Sequence, residues 1–210
     1  MIDPKKILVL APHTDDGELG CGATIAQYSN SGVKVFYAAF SLCKKSLPKG
    51  FAADTLEKEC RKATHVLGIS AKNLSLFDLE VREFPANRQA ILEQLVKLNK
   101  KINPDLVFIP SKNDRHQDHR TIHEEALRAF KNASLLGYEL PWNHNKFNST
   151  LFIKLDKQFL NKKISALSEY KSQGKKNYMK ADFIESLAKV RGVQSNTGYA
   201  EAFEVYRLIS

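Results

Sequence analysis

The 210-residue chain has the length of one sizeable globular domain, and its composition is 43% hydrophobic and 26% charged. These values exclude a disulfide-stapled peptide, a disordered chain and a membrane-embedded protein. The formal net charge of +9 permits nucleic acid, an anionic surface or a phosphorylated substrate as partner and selects none of them. Three cysteines at unrelated spacings favour a reducing cytoplasm, and the short apolar run near the N-terminus predicts neither a signal peptide nor a membrane span.

The first 110 residues alternate buried strands with amphipathic helices. Residues 7–11 and 33–40 are apolar runs typical of strands covered on both faces. A helix is predicted between them, over 19–31, and Gly32 ends it. The alternation continues with helices at 54–67 and 87–102 and strands at 73–79 and 105–110. This order predicts a three-layer, Rossmann-like α/β fold with a mostly parallel central sheet.

The pattern is looser after residue 130. A strand is predicted at 150–155 and helices at 161–172 and 182–191, whereas 135–144 contains a proline and aromatic residues. We expect this part to be a C-terminal cap on a single domain of residues 1–210, because no repeat or flexible linker divides the chain. The Lys-rich segment 171–180 is interpreted as a solvated face.

Two polar clusters follow predicted strands. Residues 12–18 read PHTDDGE directly after the first strand, and residues 114–119 read DRHQDH shortly after the strand at 105–110. Ligands bind outside the carboxyl ends of strands in open α/β sheets, so we expect the two loops to converge. Imidazoles and a carboxylate as ligands, with a further carboxylate for the proton, are the groups that a hydrolytic zinc site needs.

Each cluster also permits a plainer interpretation. Asp118 is a candidate N-cap for the helix that follows it, and His123 is an alternative ligand because it lies one turn after His119. The glycines after the first strand have the order GxxGxG, and their acidic neighbours disfavour a bound pyrophosphate. A phosphoesterase on the same ligands and a basic nucleic-acid-binding module are the alternatives to an amide hydrolase.

Four separated segments resemble one family. APHTDDGELGCGATI at 11–25 and HQDH at 116–119 are similar to motifs of the LmbE-like, or PIG-L, zinc-dependent N-acetylglucosamine deacetylases. The predicted helix at 59–68 and GYAEAFE at 198–204 extend the resemblance over nearly the whole chain. The resemblance implies an enzyme that hydrolyses the acetamide of an N-acetylglucosamine-type sugar conjugate to a free amine and acetate.

The resemblance also implies residue roles. His13, Asp16 and His119 would hold zinc, with ferrous iron as the alternative metal, because ligand types alone do not separate the two. Asp15 would be the general base and His116 would face the developing oxyanion. Independently of the family, Asp118 is a candidate to orient an imidazole. Candidate sugar-binding residues are Asp78, Tyr138, Trp142, Gln173, Arg191 and Tyr199.

Three positions depart from the family pattern. Thr14 stands where many members have Pro, Gly17 where many have Glu, and Leu56 near the place of a substrate-binding Arg. These departures leave the substrate open and do not touch the predicted metal ligands. We expect a small amino-sugar conjugate as partner, anionic or nucleotide-linked in view of the positive charge, and no nucleic acid or membrane span. A homo-oligomer is compatible with the sequence.

Overall fold

A seven-stranded sheet with helices on both faces organises residues 3–209, which are the residues that the computed structural model describes. The strands are β1 (Lys6–His13), β2 (Lys34–Ser41), β3 (Leu74–Leu76), β4 (Leu106–Pro110), β5 (Ser134–Tyr138), β6 (Leu151–Lys154) and β7 (Ala200–Arg207). The helices are α1 (Asp16–Asn30), α2 (Thr55–Val66), α3 (Arg88–Ile102), α4 (Gln117–Ala129), α5 (Lys157–Ser168) and α6 (Ala181–Gln194). The predicted mixed α/β fold with a mostly parallel sheet is confirmed.

The sheet order is β3-β2-β1-β4-β5-β7-β6. Strands β1 to β5 are parallel to one another, and β7 is antiparallel to both β5 and β6. The chain moves outward from β1 in one direction and from β4 in the other, so the sheet has a topological switch point between these two strands. The loops that carry the two polar clusters therefore leave adjacent strands at the same edge of the sheet.

The apolar runs form strands because both faces of the sheet are covered. Alternate side chains of β1 enter opposite layers: Ile7 and Val9 pack with α1, α2 and α5, and Leu8 and Leu10 pack with α3 and α4. All four are fully buried. The three-layer architecture follows from this alternation.

The C-terminal part contributes to the sheet as well as covering it. Strand β7 pairs with both β5 and β6, and neither β5 nor β7 was predicted as a strand. Gly137 obscures the pattern of β5, and the structure shows why a glycine is there: a Cβ at this position would lie 2.6 Å from Cε2 of Tyr206. Helix α5 begins at Lys157, four residues before the predicted start. None of the helices within residues 3–209 combines the length and apolar character needed to cross a bilayer.

Helix α1 is interrupted at Cys21, and side chains of the C-terminal part hydrogen-bond the backbone on either side of the interruption. Cys21 has φ −144° and ψ 25°, which leaves backbone groups without helical partners. The carboxylate of Glu201 in β7 accepts hydrogen bonds from the next turn, including the N–H of Thr24 at 2.8 Å. The buried ammonium of Lys163 in α5 donates to the Leu19 carbonyl at 2.6 Å and to Glu201 at 2.7 Å. The C-terminal match at 198–204 thus has a structural function in the N-terminal helix.

Candidate active site

A cavity of about 250 Å³ opens where β1 and β4 end. Its deep end, here called the floor, consists of the two loop clusters that follow these strands: His13, Asp15, Asp16, His116 and His119. Its outer wall comes from the turn after β5 and from the segment between α5 and α6: Trp142, Asn143, Gln173, Lys176 and Tyr178. Residues 13 and 119 are more than 100 positions apart in sequence, so the predicted convergence of the two loops is present.

Three floor atoms form a nearly equilateral triangle. Nδ1 of His13 lies 3.1 Å from Oδ2 of Asp16 and 3.1 Å from Nε2 of His119, and the third side, from Asp16 Oδ2 to His119 Nε2, measures 3.2 Å. In a tetrahedral zinc site with bonds of about 2.0–2.1 Å, neighbouring ligand atoms are about 3.3 Å apart. The donor types and their spacing therefore fit a divalent cation with a coordination position left for water.

Two buried carboxylates orient the imidazoles of this triangle. Asp118 Oδ2 lies 3.0 Å from Nε2 of His13, and Asp114 Oδ2 lies 2.7 Å from Nδ1 of His119. Each carboxylate engages the ring nitrogen that points away from the triangle. A proton is thereby fixed on that nitrogen, and the nitrogen within the triangle keeps its lone pair for a cation.

Asp118 does not cap α4, so the plainer interpretation of this residue is wrong. The N-cap is His116, whose Nδ1 accepts the backbone N–H of Asp118 at 3.2 Å. The fully buried Asp118 carboxylate accepts the backbone N–H groups of Arg82 and Phe84 as well as contacting His13. Arg82 has φ 74°, a left-handed conformation that turns its N–H toward the carboxylate.

The cap fixes the protonation of His116. Because Nδ1 uses its lone pair to accept an N–H, the neutral ring carries its proton on Nε2. Burial, His119 and His13 lower the pKa of His116 to about 4, so the ring is neutral at pH 7. Ligand atoms of His13, His116 and His119 lie within 4.8 Å of one another, which makes a three-histidine cluster another possible metal set. The cap favours Asp16 over His116 as the third ligand, since His116 presents a donor.

The triangle attracts positive charge. Burial would raise the pKa of Asp16, but His119 and His13 outweigh it and hold this pKa well below its usual range. Burial would lower the pKa of His119, but Asp16 and Asp114 raise it to about 10. Protons and a metal ion compete for the same lone pairs, so a site that favours protonated imidazoles in this way is also favourable for a cation.

Asp15 is the floor carboxylate that these contacts leave unused. It is the N-cap residue of α1, yet its side chain makes no capping hydrogen bond. Within residues 3–209 no cationic side chain lies within ion-pair distance of it. Burial, with a contribution from Asp16, raises the pKa of Asp15, while Lys176 and His13 act in the opposite direction. A carboxylate with a raised pKa beside a candidate metal site is suited to proton transfer.

Comparison with known proteins decides the family. The model of the family described as PIG-L: GlcNAc-PI de-N-acetylase matches residues 8–130, which include both polar clusters. The chain belongs to the PIG-L family. It is 28% identical over 172 residues to an uncharacterized deacetylase, YaiS, of Escherichia coli, covering 80% of this chain and 91% of the relative. It is 26% identical over 192 residues to a probable N-acetyl-alpha-D-glucosaminyl L-malate deacetylase 2 of Bacillus anthracis, covering 82% and 83%.

Solved structures share the fold of this PIG-L chain. The N,N'-diacetylchitobiose deacetylase of Pyrococcus horikoshii superimposes with a TM-score of 0.80 at 21% identity, covering 97% of this chain and 84% of that one. The 4-carboxy-2-hydroxymuconate hydratase GalB of Pseudomonas putida gives 0.81 at 19% identity, covering 98% of each. These identities establish the fold alone, and the second neighbour has a different activity by name.

At Gly17, one of the three departures from the PIG-L pattern, a neighbouring side chain fills the available space. A Cβ at this position would lie 2.7 Å from the Tyr37 hydroxyl, so the tyrosine occupies the space of a side chain. Tyr37 and Tyr170 both hydrogen-bond the buried Glu18 carboxyl group and contact the Thr14 carbonyl, with Tyr170 at 2.5 Å. This network supports the Thr14 backbone from behind the floor. The third departure, Leu56, lines the cavity with an apolar side chain.

Four predicted sugar-binding residues do not line the cavity of this PIG-L protein. Asp78 is bound to Lys44, Arg191 to Glu139, and Tyr199 to Glu185. Tyr138 in β5 is fully buried and donates to the Leu10 carbonyl. The polar or aromatic character of these residues did not predict their positions, because each side chain makes an ion pair, a hydrogen bond or a packing contact elsewhere. Trp142 and Gln173 do line the cavity.

His123 does not reach the triangle. Its Nδ1 lies 2.9 Å from the Pro110 carbonyl and its ring packs edge-on against Tyr206. A position one turn after His119 on α4 faces the sheet here, so the alternative ligand is wrong.

The sequence analysis did not assign Asp114, Asn143, Lys176 or Tyr178 to this site. Asp114 was part of the second cluster, and its spacing of five residues before His119 is the signal that would have found it. Lys176 and Tyr178 lie in the Lys-rich segment that was interpreted as a solvated face. That interpretation is wrong for part of the segment, because Lys176 and Tyr178 line the cavity.

Proposed function

We propose that this protein is a metal-dependent N-deacetylase that hydrolyses the acetamide of an N-acetylglucosamine-type sugar conjugate to a free amine and acetate. The observation that carries the proposal is the donor triangle of His13, Asp16 and His119 beside the unpaired Asp15, in a member of the PIG-L family. Zinc is the metal of choice for this donor set, with ferrous iron as the alternative. The names of the relatives support an amino-sugar substrate.

The roles of the residues follow from their contacts. When bound, a divalent ion supplies a Lewis acid that polarises the acetamide carbonyl and makes water a nucleophile at neutral pH. Asp15 takes a proton from the attacking water and returns it to the nitrogen as the C–N bond breaks. His116 donates from Nε2 to the oxyanion that develops as the new C–O bond forms. Asp118 and Asp114 keep His13 and His119 in the orientation that binding requires.

A cytoplasmic location is part of the proposal. Cys21, Cys43 and Cys60 are all buried free thiols, which suits a reducing compartment. Fractionation of cells that express the protein tests this, and recovery in a secreted fraction contradicts it.

The decisive experiment measures metal and product together. Elemental analysis of the purified protein should give about one zinc or iron ion per chain, and acetate should be released from N-acetylglucosamine conjugates. A chelator should abolish the release, and added zinc should restore it. Phosphate release from a phosphorylated sugar without acetate would support the phosphoesterase alternative. Metal binding with no acetate from any conjugate, together with hydration of an unsaturated acid, would support a hydratase like the second structural neighbour.

A further inference from the structure

Hydrogen bonds to neighbouring parts of the protein hold both segments of the outer wall. Arg115 donates to the carbonyls of Trp142, at 3.1 Å, and Asn143, at 3.3 Å, which ties the wall to the loop of the floor. On the other side, Glu59 of α2 accepts both the N–H and the hydroxyl of Ser172. These contacts hold the two wall segments in place.

Aromatic rings join the two segments of the wall. The rings of Trp142 and Tyr178 are stacked, with centroids 4.0 Å apart and an interplanar angle of 9°. Both residues line the cavity. Aromatic rings with a polar edge pack against the apolar C–H faces of sugars and other ring-shaped ligands. The wall is therefore suited to hold a ring that extends outward from the floor.

The same wall carries a positive charge that has Tyr178, and no carboxylate among residues 3–209, as its close partner. Lys176 is the only lysine or arginine among the described residues that line the cavity. Its ammonium group lies 5.4 Å from the centre of the Tyr178 ring, and no carboxylate of residues 3–209 is within ion-pair distance of it. Lys44 and Lys45, which lie between the lining residues Cys43 and Ser46, are instead paired with Asp78 and Glu80.

The acidic and basic side chains of the cavity lie in different parts of it. Asp15 and Asp16 are the acidic residues that line it, and both belong to the floor. A divalent ion in the donor triangle would offset the charges of Asp15 and Asp16, and the carboxylates of Asp114 and Asp118 lie behind the imidazoles, so Lys176 is the charged group that faces a ligand at the wall. An anionic ligand is then stabilised with its negative group at the wall and its neutral end at the floor.

We propose that Trp142, Tyr178 and Lys176 form a subsite for a phosphate or carboxylate group carried by the sugar conjugate. This inference rests on the proposed deacetylase function, and it names the substrate as an anionic acetamido-sugar whose charge lies at the outer wall. Lys176 acts as a specificity-determining residue because it contacts the part of the substrate that does not react.

Trp142 supplies a direct readout, since it is the only tryptophan in the chain. Its fluorescence is followed during titration of the zinc-loaded protein with glucosamine, glucosamine 1-phosphate and glucosamine 6-phosphate. These are products or product analogues without an acetamide, so no turnover occurs. We expect at least one phosphate sugar to bind about tenfold tighter than glucosamine, since a charged hydrogen bond contributes about 1.5 kcal/mol or more. A preference for the 1-phosphate assigns the charge to the linked group, and one for the 6-phosphate assigns it to the sugar.

Two variants complete the test. Lys176→Gln should abolish the preference for phosphate sugars over glucosamine. Lys175→Gln, which removes a neighbouring lysine outside the cavity lining, should retain the preference. Equal binding of all three sugars to the unaltered protein, or an undiminished preference in Lys176→Gln, overturns the subsite. Acetate release from neutral conjugates is measured separately, so a failure of the proposed function is distinguishable from a failure of this subsite.

Discussion

The floor and the outer wall of the cavity are held in place by different forces. On the floor, the imidazoles of His13 and His119 each have one nitrogen in the triangle and the other on a buried carboxylate. His119 is 1% exposed, and His13 is 8% exposed. On the wall, Trp142 and Tyr178 are half-buried and stack on each other, and Lys176 is exposed.

This difference indicates that the floor and the wall have different functions. Buried hydrogen bonds fix the geometry of the floor tightly, which is what a metal site and a proton-transfer group require. Stacking and an exposed ammonium tolerate adjustment, which suits recognition of the non-reacting part of a substrate. Changes at the floor should therefore abolish metal binding or the rate, and changes at the wall should alter affinity.

Loss of a triangle donor should have the largest effect. In His119→Ala only two of the three donors remain, so we expect the protein to lose its metal and acetate release to fall to the level of chelator-treated protein. Elemental analysis and an acetate assay check this. His65→Ala, which alters an exposed histidine, is the matched control and should keep both. A fully loaded His119→Ala protein would contradict the assigned triangle.

Asp15→Asn should separate metal binding from proton transfer. Asparagine keeps the shape and still suits an N-cap, but it cannot accept the proton of the attacking water. We expect an unchanged metal content, with kcat reduced about 10²–10⁴-fold. His116→Ala should likewise retain metal, with a loss of about 10²–10³-fold. Full activity of Asp15→Asn would show that another group is the base.

The contacts that Lys163 and Glu201 make with helix α1 should contribute to the stability of the folded protein. Lys163→Met leaves the Glu201 carboxylate without its buried partner, the two side chains being 5% and 6% exposed. We expect the free energy of unfolding to fall by about 3–5 kcal/mol, measured by urea denaturation at constant zinc. Adding Glu201→Gln should recover part of this loss, because no unpaired charge then remains. An unchanged urea midpoint in Lys163→Met would mean that the pair is dispensable.

A change in the wall should have the smallest effect. Trp142→Leu removes the stacked ring but leaves every floor contact, so we expect KM to rise about 2–10-fold with kcat nearly unchanged. Steady-state acetate release measures both constants. Phe51→Leu, at an exposed aromatic residue outside the cavity lining, should change neither. A large fall in kcat for Trp142→Leu would mean that wall and floor are not separable in this way.

Much of the floor was predictable because its residues come from two short, contiguous segments of the sequence. The runs at 7–11 and 105–110 are apolar on both faces, and that pattern is enough to predict buried parallel strands. Their polar clusters follow directly, and the order of strands and helices predicts that the two loops meet. The presence of His13, Asp15, Asp16, His116 and His119 in one cavity thus needed no tertiary information beyond the fold class.

Tertiary structure decided which groups pair with one another. Asp118 had two interpretations in the sequence, and only the approach of the 82–84 backbone shows that its carboxylate faces His13. The same approach leaves the helix cap to His116 and so sets its proton. Such pairings depend on side-chain direction across distant segments, which no local period encodes.

The wall shows most clearly that the chemical character of a residue does not predict its position in the fold. Tyr138 and Arg191 carry the chemical character of sugar-binding residues, yet one packs in the core and the other binds Glu139. Lys176 carries the character of a surface residue and lines the cavity. By itself, the sequence determined the α/β class, the strand-end clusters and the family resemblance, because these depend on periodicity and on contiguous motifs. The tertiary structure alone decided the hydrogen-bond partners and the recognition wall, because these depend on long-range packing of exposed and half-buried segments.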